Sequence, residues 1–281
     1  MTTIKRALRP CAYPSDSVFY VIAALFMRAC AQLSGCHLPL PSTAALPLGQ
    51  TLRKPSALSP VLLGSMVSVV LLLLWDASGL DVWMAALFGT ASGFPLQDHW
   101  LWNGVLHDKI KPFTWALEIA LLAGVAFPFA ALRALPVARR AQLAVTTLLA
   151  LLLVSSIKLR SATSCPWDLQ QFGGAAIYVS HWARGVLDGG GGGCFPAGHA
   201  SAGFAFLGGF FVFRRSRPSL AWGWLAGAMA FGLLLGMAQQ IRGAHYMSHT
   251  LWTAWLCWTC AALIDWGVTR LPLVRRVSRT A

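Results

Sequence analysis

The chain has 281 residues, of which 57% are hydrophobic and 11% are charged. An ordinary soluble domain carries about 25% charged residues, so a soluble globular fold is excluded. The formal net charge of +13 sits in short clusters between apolar runs, with no basic helix or aromatic platform. This excludes nucleic acid as a partner and assigns the charge to the ends of membrane helices.

Residues 1–52 read as an N-terminal extension ahead of a membrane domain at 53–281. Lys5, Arg6 and Arg9 precede an apolar stretch at 18–33, and "LSGC" at 33–36 resembles a lipoprotein cleavage box. Arg28 interrupts the apolar region that a signal peptide needs, which favours a cytoplasmic or interfacial extension with a chance match at Cys36. A start assigned too far upstream is the alternative.

Six apolar runs then approach the roughly 20 residues required to cross a bilayer core. They lie near 57–74, 113–132, 141–157, 195–213, 220–238 and 250–268. The expected fold is an all-α integral membrane protein with six transmembrane helices. Arg53/Lys54, Arg133/Arg139/Arg140, Arg214/Arg215/Arg217 and Arg270/Arg275/Arg276/Arg279 fall on alternate loops and the tail. The positive-inside rule therefore makes both ends of the six-helix unit cytoplasmic. The opposite face receives 76–112, 158–194 and 239–249. Of these, 76–112 mixes Trp83, Phe94, Trp100 and Trp102 with charges, as an interfacial segment does. The glycine run 189–193 reads as a flexible outer loop.

That outer face gathers "KLRSATSCPWDL" (158–169), "CFPAGH" (194–199) and "QQIRGAHYMSH" (239–249). Lys158 and Arg160 alone would read as snorkelling side chains, and His199 alone as a cap in the first turn of helix four. His245 and His249, four apart, are expected on one face of helix six, with Arg242 one turn before His245. Ionisable groups at the edge of a span are costly, so the combination asks for a function. Phosphoryl transfer fits it. Lys158, Arg160 and Arg242 supply positive charge, the N–H groups opening helix four bind an anion, one histidine attacks phosphorus and another protonates the leaving oxygen.

These three segments resemble the signature of the type 2 phosphatidic acid phosphatase superfamily, which comprises integral membrane lipid phosphatases. Its motifs are a lysine, six residues and Arg-Pro; then Pro-Ser-Gly-His; then Ser-Arg, five residues, a histidine, three residues and an aspartate. The resemblance covers roughly 57–268, and "CPWDL" and "RGAHYMSHTLW" are similar to a bacterial membrane-associated branch with variant motifs. Lys158 and Pro166 match the first motif, with Cys165 replacing the arginine. Pro196, Gly198 and His199 match the second, with Ala197 replacing serine. His245 matches the third-motif histidine, whereas Ala238 and Gln239 stand at Ser-Arg and His249 stands at the aspartate.

The resemblance implies His245 as the nucleophile and a phosphohistidine intermediate, with His199 as proton donor and then base. Lys158 and Gly198 belong to the substrate site, where Arg242 and Arg160 stand in for the displaced arginines. His249 is the first choice to orient His245 and Asp168 the second, with Asp98 and Asp108 as further candidates. No metal or cofactor is required. The expected activity is removal of phosphate from a lipid phosphate or pyrophosphate at the periplasmic face of a bacterial inner membrane. A second lipid in place of water would make it a phosphotransferase. The bilayer is the expected partner; the oligomeric state and the particular lipid are not encoded in any readable motif.

Cys165 and Cys194 fall in the first two motif loops, where an oxidising compartment permits a disulfide; two free thiols are the alternative. Cys257 and Cys260 read as packing residues, Glu118 as a side chain reaching headgroups or water, and Ala200–Gly203 with Gly208–Gly209 as close-packing positions. Two rivals remain. One makes His199, His245 and His249 zinc ligands. The other is a lipid-binding or transport protein that has lost catalysis.

Overall fold

The computed structural model describes residues 60–183 and 185–270, all within one compact unit. The N-terminal extension with Cys36, the pair Arg53/Lys54, and Arg275, Arg276 and Arg279 lie outside the described residues. Among the described residues the fold is helical, without strands; isolated bridges at Thr90–Gly93 and Leu169–Ala176 tie off loops.

The helices are α1 (Pro60–Ala77), α2 (Leu80–Ala86), α3 (Ile110–Ala126), α4 (Val137–Lys158), α5 (Ser201–Phe204), α6 (Gly208–Phe213), α7 (Pro218–Ile241) and α8 (Met247–Val268). Their ends follow local chemistry. Pro136 precedes α4 and Pro218 opens α7, where a missing N–H costs nothing. Five segments are long and apolar enough to cross a membrane: α1, Leu101–Ala134 containing α3, α4, α7 and α8.

The run expected at 195–213 departs from this pattern. It is helical only over Ser201–Phe213, with a 3₁₀ turn at Ala205–Leu207 between α5 and α6. At 1.5 Å per residue this is about 20 Å, short of a core of about 30 Å. Pro196 has no N–H, and Ala197 donates its own to His249 O (3.3 Å), so 195–200 stays a loop.

Helix α4 packs on α8 and α3, and α8 also carries α1. Three indoles on α8 spaced by three residues fasten α1: Trp252 Nε1 donates to Asp76 Oδ2 (2.8 Å), Trp255 Nε1 to Ser65 O (3.1 Å) and Trp258 Nε1 to Ser65 Oγ (3.0 Å). In an apolar medium such donors have no water to fall back on, so they set the register. The small residues act as expected. A Cβ on Gly203 would lie 2.3 Å from Gly232 N, and one on Gly208 would lie 2.8 Å from Thr146 Cγ2. Backbones therefore approach closely here.

Two expectations are overturned. Glu118 does not reach headgroups or water: it is 0% exposed and neither carboxylate oxygen has a hydrogen-bond partner among the described residues. It belongs to the buried stripe of α3 formed by Thr114, Glu118, Leu121 and Gly124, which helical periodicity turns inward. Nor is the glycine run slack. Gly193 N donates to Ser161 O (2.7 Å), Gly190 N to Asp188 Oδ1 (3.0 Å) and Gly192 N to Ser164 Oγ (3.3 Å). Left-handed φ values at Gly189, Gly192 and Gly193 explain the composition.

At the end of the bundle remote from the three motif segments, Asp265 of α8 joins three helical segments. It accepts from Arg139 Nη1 (3.0 Å), Gln142 Nε2 (3.0 Å) and Arg214 Nη2 (2.6 Å), and its side chain is 4% exposed. Removing a buried partner leaves two arginines uncompensated. Asp265→Ala is expected to destabilise by about 3–5 kcal/mol, read by reversible unfolding in detergent, with Asp265→Asn less severe.

Candidate active site

The three motif segments meet where α4 ends and α8 begins. Lys158 is the last residue of α4, His199 lies in the turn before α5, and His245 lies in the short link between α7 and α8. A disulfide joins Cys165 to Cys194, with their Cα atoms 5.2 Å apart. His245 is 3% exposed, and its Nδ1 lies 3.5 Å from Cys194 Sγ. His249 Nδ1 faces the Cys194 carbonyl oxygen at 3.0 Å, which assigns the hydrogen to Nδ1.

Several placements differ from expectation. Helix α7 stops at Ile241, Gly243 turns the chain at φ 74°, and α8 starts at Met247. Arg242 and His245 are therefore not on one helical turn, and His245 and His249 do not share a helix face. Their ring centroids are nonetheless 6.0 Å apart. His199 precedes the first helical turn instead of lying in it. The N–H groups of Gly198, His199 and Ala200, in that preceding turn, donate to no described residue.

Lys158, Gly198 and His199 line one cavity of about 220 Å³ with Lys111, Thr114 and Ser201. A Cβ on Gly198 would stand 3.4 Å from Lys158 Cδ, so glycine lets the lysine stem pass. Arg160 does not join them. It is exposed and lines a second cavity of about 490 Å³ with Ser161, His181 and Phe195, because residues two apart at a helix end point away from each other.

Arg242 is buried and is held from the 97–103 region. Its Nε donates to Gln97 O (2.7 Å), Nη2 to Asn103 Oδ1 (2.9 Å) and Nη1 to Gln239 Oε1 (3.1 Å). Gln239, at the motif's arginine position, thus anchors the displaced Arg242. Asp168 Oδ2 accepts from Cys165 N (3.0 Å) and caps its own 3₁₀ turn. Asp98 and Asp108 act on Arg242 by charge.

Residue types in the sequence did not single out His107, His181 or Asp76. His107 stacks on His199 at 4.1 Å between centroids, and His181 meets His249 edge-on at 5.4 Å. The donor atoms of His199, His245 and His249 do not come together as a metal set. Among the described residues the close group is Cys165, Cys194 and His245, and its sulfurs are joined to each other.

Burial, followed by His107, Lys158, Arg242 and Lys111, pulls the His199 pKa down to about 3. Burial, then the charge of Lys158 and the neighbouring His249 and His199, also holds His245 well below the usual imidazole range. Both imidazoles are thereby held neutral at physiological pH, beside a cluster of cationic side chains.

A family model described as the PAP2 superfamily matches residues 140–271. Over those residues the resemblance of the three motif segments to that superfamily is borne out. The match takes in Lys158, His199, His245 and His249 together. No curated protein and no solved structure matches the chain. The match supports phosphatase or phosphotransferase activity on lipid phosphates.

The histidine shifts make stability depend on pH. His199 has a folded pKa of about 3 against an ordinary value of 6.5, so the unfolded chain takes up the proton first. Its contribution is complete above the unfolded pKa and is lost as pH falls through that window. The unfolding temperature in detergent should be lower at about pH 5 than at about pH 7.5, and His199→Gln should narrow the difference. An unchanged gap in the variant would assign the effect elsewhere.

Proposed function

We propose that this PAP2 protein is a lipid phosphate phosphohydrolase working through a phosphohistidine at the outer, periplasmic face of a bacterial inner membrane. One observation carries the lipid assignment. The cavity of Lys158, Lys111 and His199 shares Ala202 as a wall with an apolar groove of about 600 Å³, lined by Phe113, Leu117, Phe206 and Phe231. A phosphate in the first and a hydrocarbon chain in the second describe one amphipathic substrate. The sidedness rests on Arg139 and Arg214, which meet at Asp265 at the opposite end; the positive-inside rule makes that end cytoplasmic.

The chemistry follows from the groups. Lys158, the free N–H groups of Gly198–Ala200 and Arg242 hold the phosphoryl oxygens. His245, its Nδ1 turned to the disulfide, attacks phosphorus with Nε2; the P–O bond to the lipid breaks as His199 delivers a proton to the leaving oxygen. The anionic substrate opposes the shift on His199, so the proton is taken up with the substrate. Neutral His199 then removes a proton from water as the water oxygen bonds to phosphorus, the P–N bond to His245 breaks, and phosphate leaves.

His245→Ala should lower phosphate release from lipid vesicles by roughly 10³-fold or more, with Lys158→Ala weakening it about 10–100-fold. Wild type should cleave a short-chain soluble ester at least about 10-fold less efficiently than a long-chain lipid phosphate, because the groove goes unfilled. Release that survives His245→Ala, or that a chelator abolishes, would overturn the mechanism.

A further inference from the structure

The third motif carries a histidine where the family has an aspartate, and no described carboxylate bonds to His245, whose Nδ1 faces sulfur. A carboxylate lies behind it, on another helix. His249 is edge-on to His181, and His181 Nε2 stands 3.5 Å from Asp76 Oδ2, a contact of charge without a hydrogen bond. The His181 ring is locked by a parallel stack on Phe195, with centroids 4.1 Å apart and planes at 5°; Phe195 in turn edges His249 at 5.1 Å. Starting at His245, the groups run His245, His249, His181 and Asp76.

Asp76 is unusually placed for an anchor. Its side chain is 7% exposed and that of His181 is 5% exposed. Oδ2 accepts from both Trp182 Nε1 and Trp252 Nε1 at 2.8 Å, while the buried Oδ1 has no hydrogen-bond partner among the described residues. A neutral acceptor would satisfy two indoles. A carboxylate at the end of a membrane helix, with one oxygen left unsatisfied, is costly unless its charge is used.

We infer that Asp76 is a positioning residue for the proposed phosphoryl transfer, supplying through His181 and His249 the negative charge that the third motif lacks. The inference rests on His245 being the nucleophile. When Nε2 of His245 bonds to phosphorus, its ring gains positive charge. The two intervening imidazoles polarise toward Asp76 and spread that charge along the file. No proton leaves the file, because His249 keeps its Nδ1 hydrogen on Cys194 O.

The test uses the full-length protein in zwitterionic vesicles doped with phosphatidic acid or undecaprenyl pyrophosphate, taking whichever lipid the wild type cleaves faster. Asp76→Asn is expected to lower kcat about 10-fold with KM unchanged, and His181→Gln to do the same. The double variant should be no worse than either single one, and Asp76→Glu should recover part of the loss. Trp182→Phe removes one of the same hydrogen bonds but no charge, and should stay within about 2-fold. Wild-type kcat in folded Asp76→Asn, or an equal loss in Trp182→Phe, would reduce Asp76 to an indole anchor. If Asp76→Asn does not fold, His181→Gln decides by the same criteria. Retained release by His245→Ala, or none by wild type on either lipid, would instead overturn the reading beneath.

Discussion

Cys194 is the residue on which the site depends, because one short stretch of backbone there is bonded to all three motif segments. Its N–H donates to Thr163 O (2.9 Å), its carbonyl oxygen takes the His249 ring at 3.0 Å, and its sulfur is bonded to Cys165. The same sulfur stands 3.5 Å from His245 Nδ1. A loop at the edge of a bilayer has little water to satisfy its polar groups, so each of these contacts restricts the others. The consequence is a braced turn in which Gly198 and His199 share a cavity with Lys158.

The two ends of the bundle solve the problem of buried polarity in opposite ways. At Asp265 the charges are matched, two arginines and a glutamine on one carboxylate, and the result is a clasp. At the histidine end the match is deliberately incomplete. Lys158, Lys111 and Arg242 surround imidazoles held neutral by burial, and no described carboxylate lies against His245. A phosphate is the anion that such an excess of positive charge stabilises, and a neutral imidazole beside it is nucleophilic. The apolar groove that shares Ala202 with this cavity gives the arrangement its relation to lipid.

The structure also gives the substituted motif positions a physical sense. Gln239, where the motif has arginine, bonds Arg242, the arginine three residues later. Cys165, where the first motif has arginine, becomes half of the disulfide. The lost positive charge is thus partly relocated and partly exchanged for covalent rigidity.

Apolar runs and helix-end cations were enough to read a membrane protein with its motif residues at one end, because burial in lipid demands long uninterrupted apolar segments. The order and spacing of Lys158, His199 and His245 were enough to read phosphoryl-transfer chemistry. Sequence spacing could not tell that Arg160 faces a different cavity from Lys158, that Glu118 is buried, or that Gly243 breaks the helix expected to unite Arg242 with His245. Those outcomes depend on which side of a helix end each residue occupies. His107, His181 and Asp76 escaped notice for a related reason: they lie outside the motif segments, and groups separated by up to 176 positions, as for Asp76 and Trp252, are brought together only by packing. The sequence by itself determined the apolar solvent and the order of the motif residues that carry the family resemblance; the tertiary structure decided their surroundings, because contacts between helices depend on rotation and register that no local pattern records.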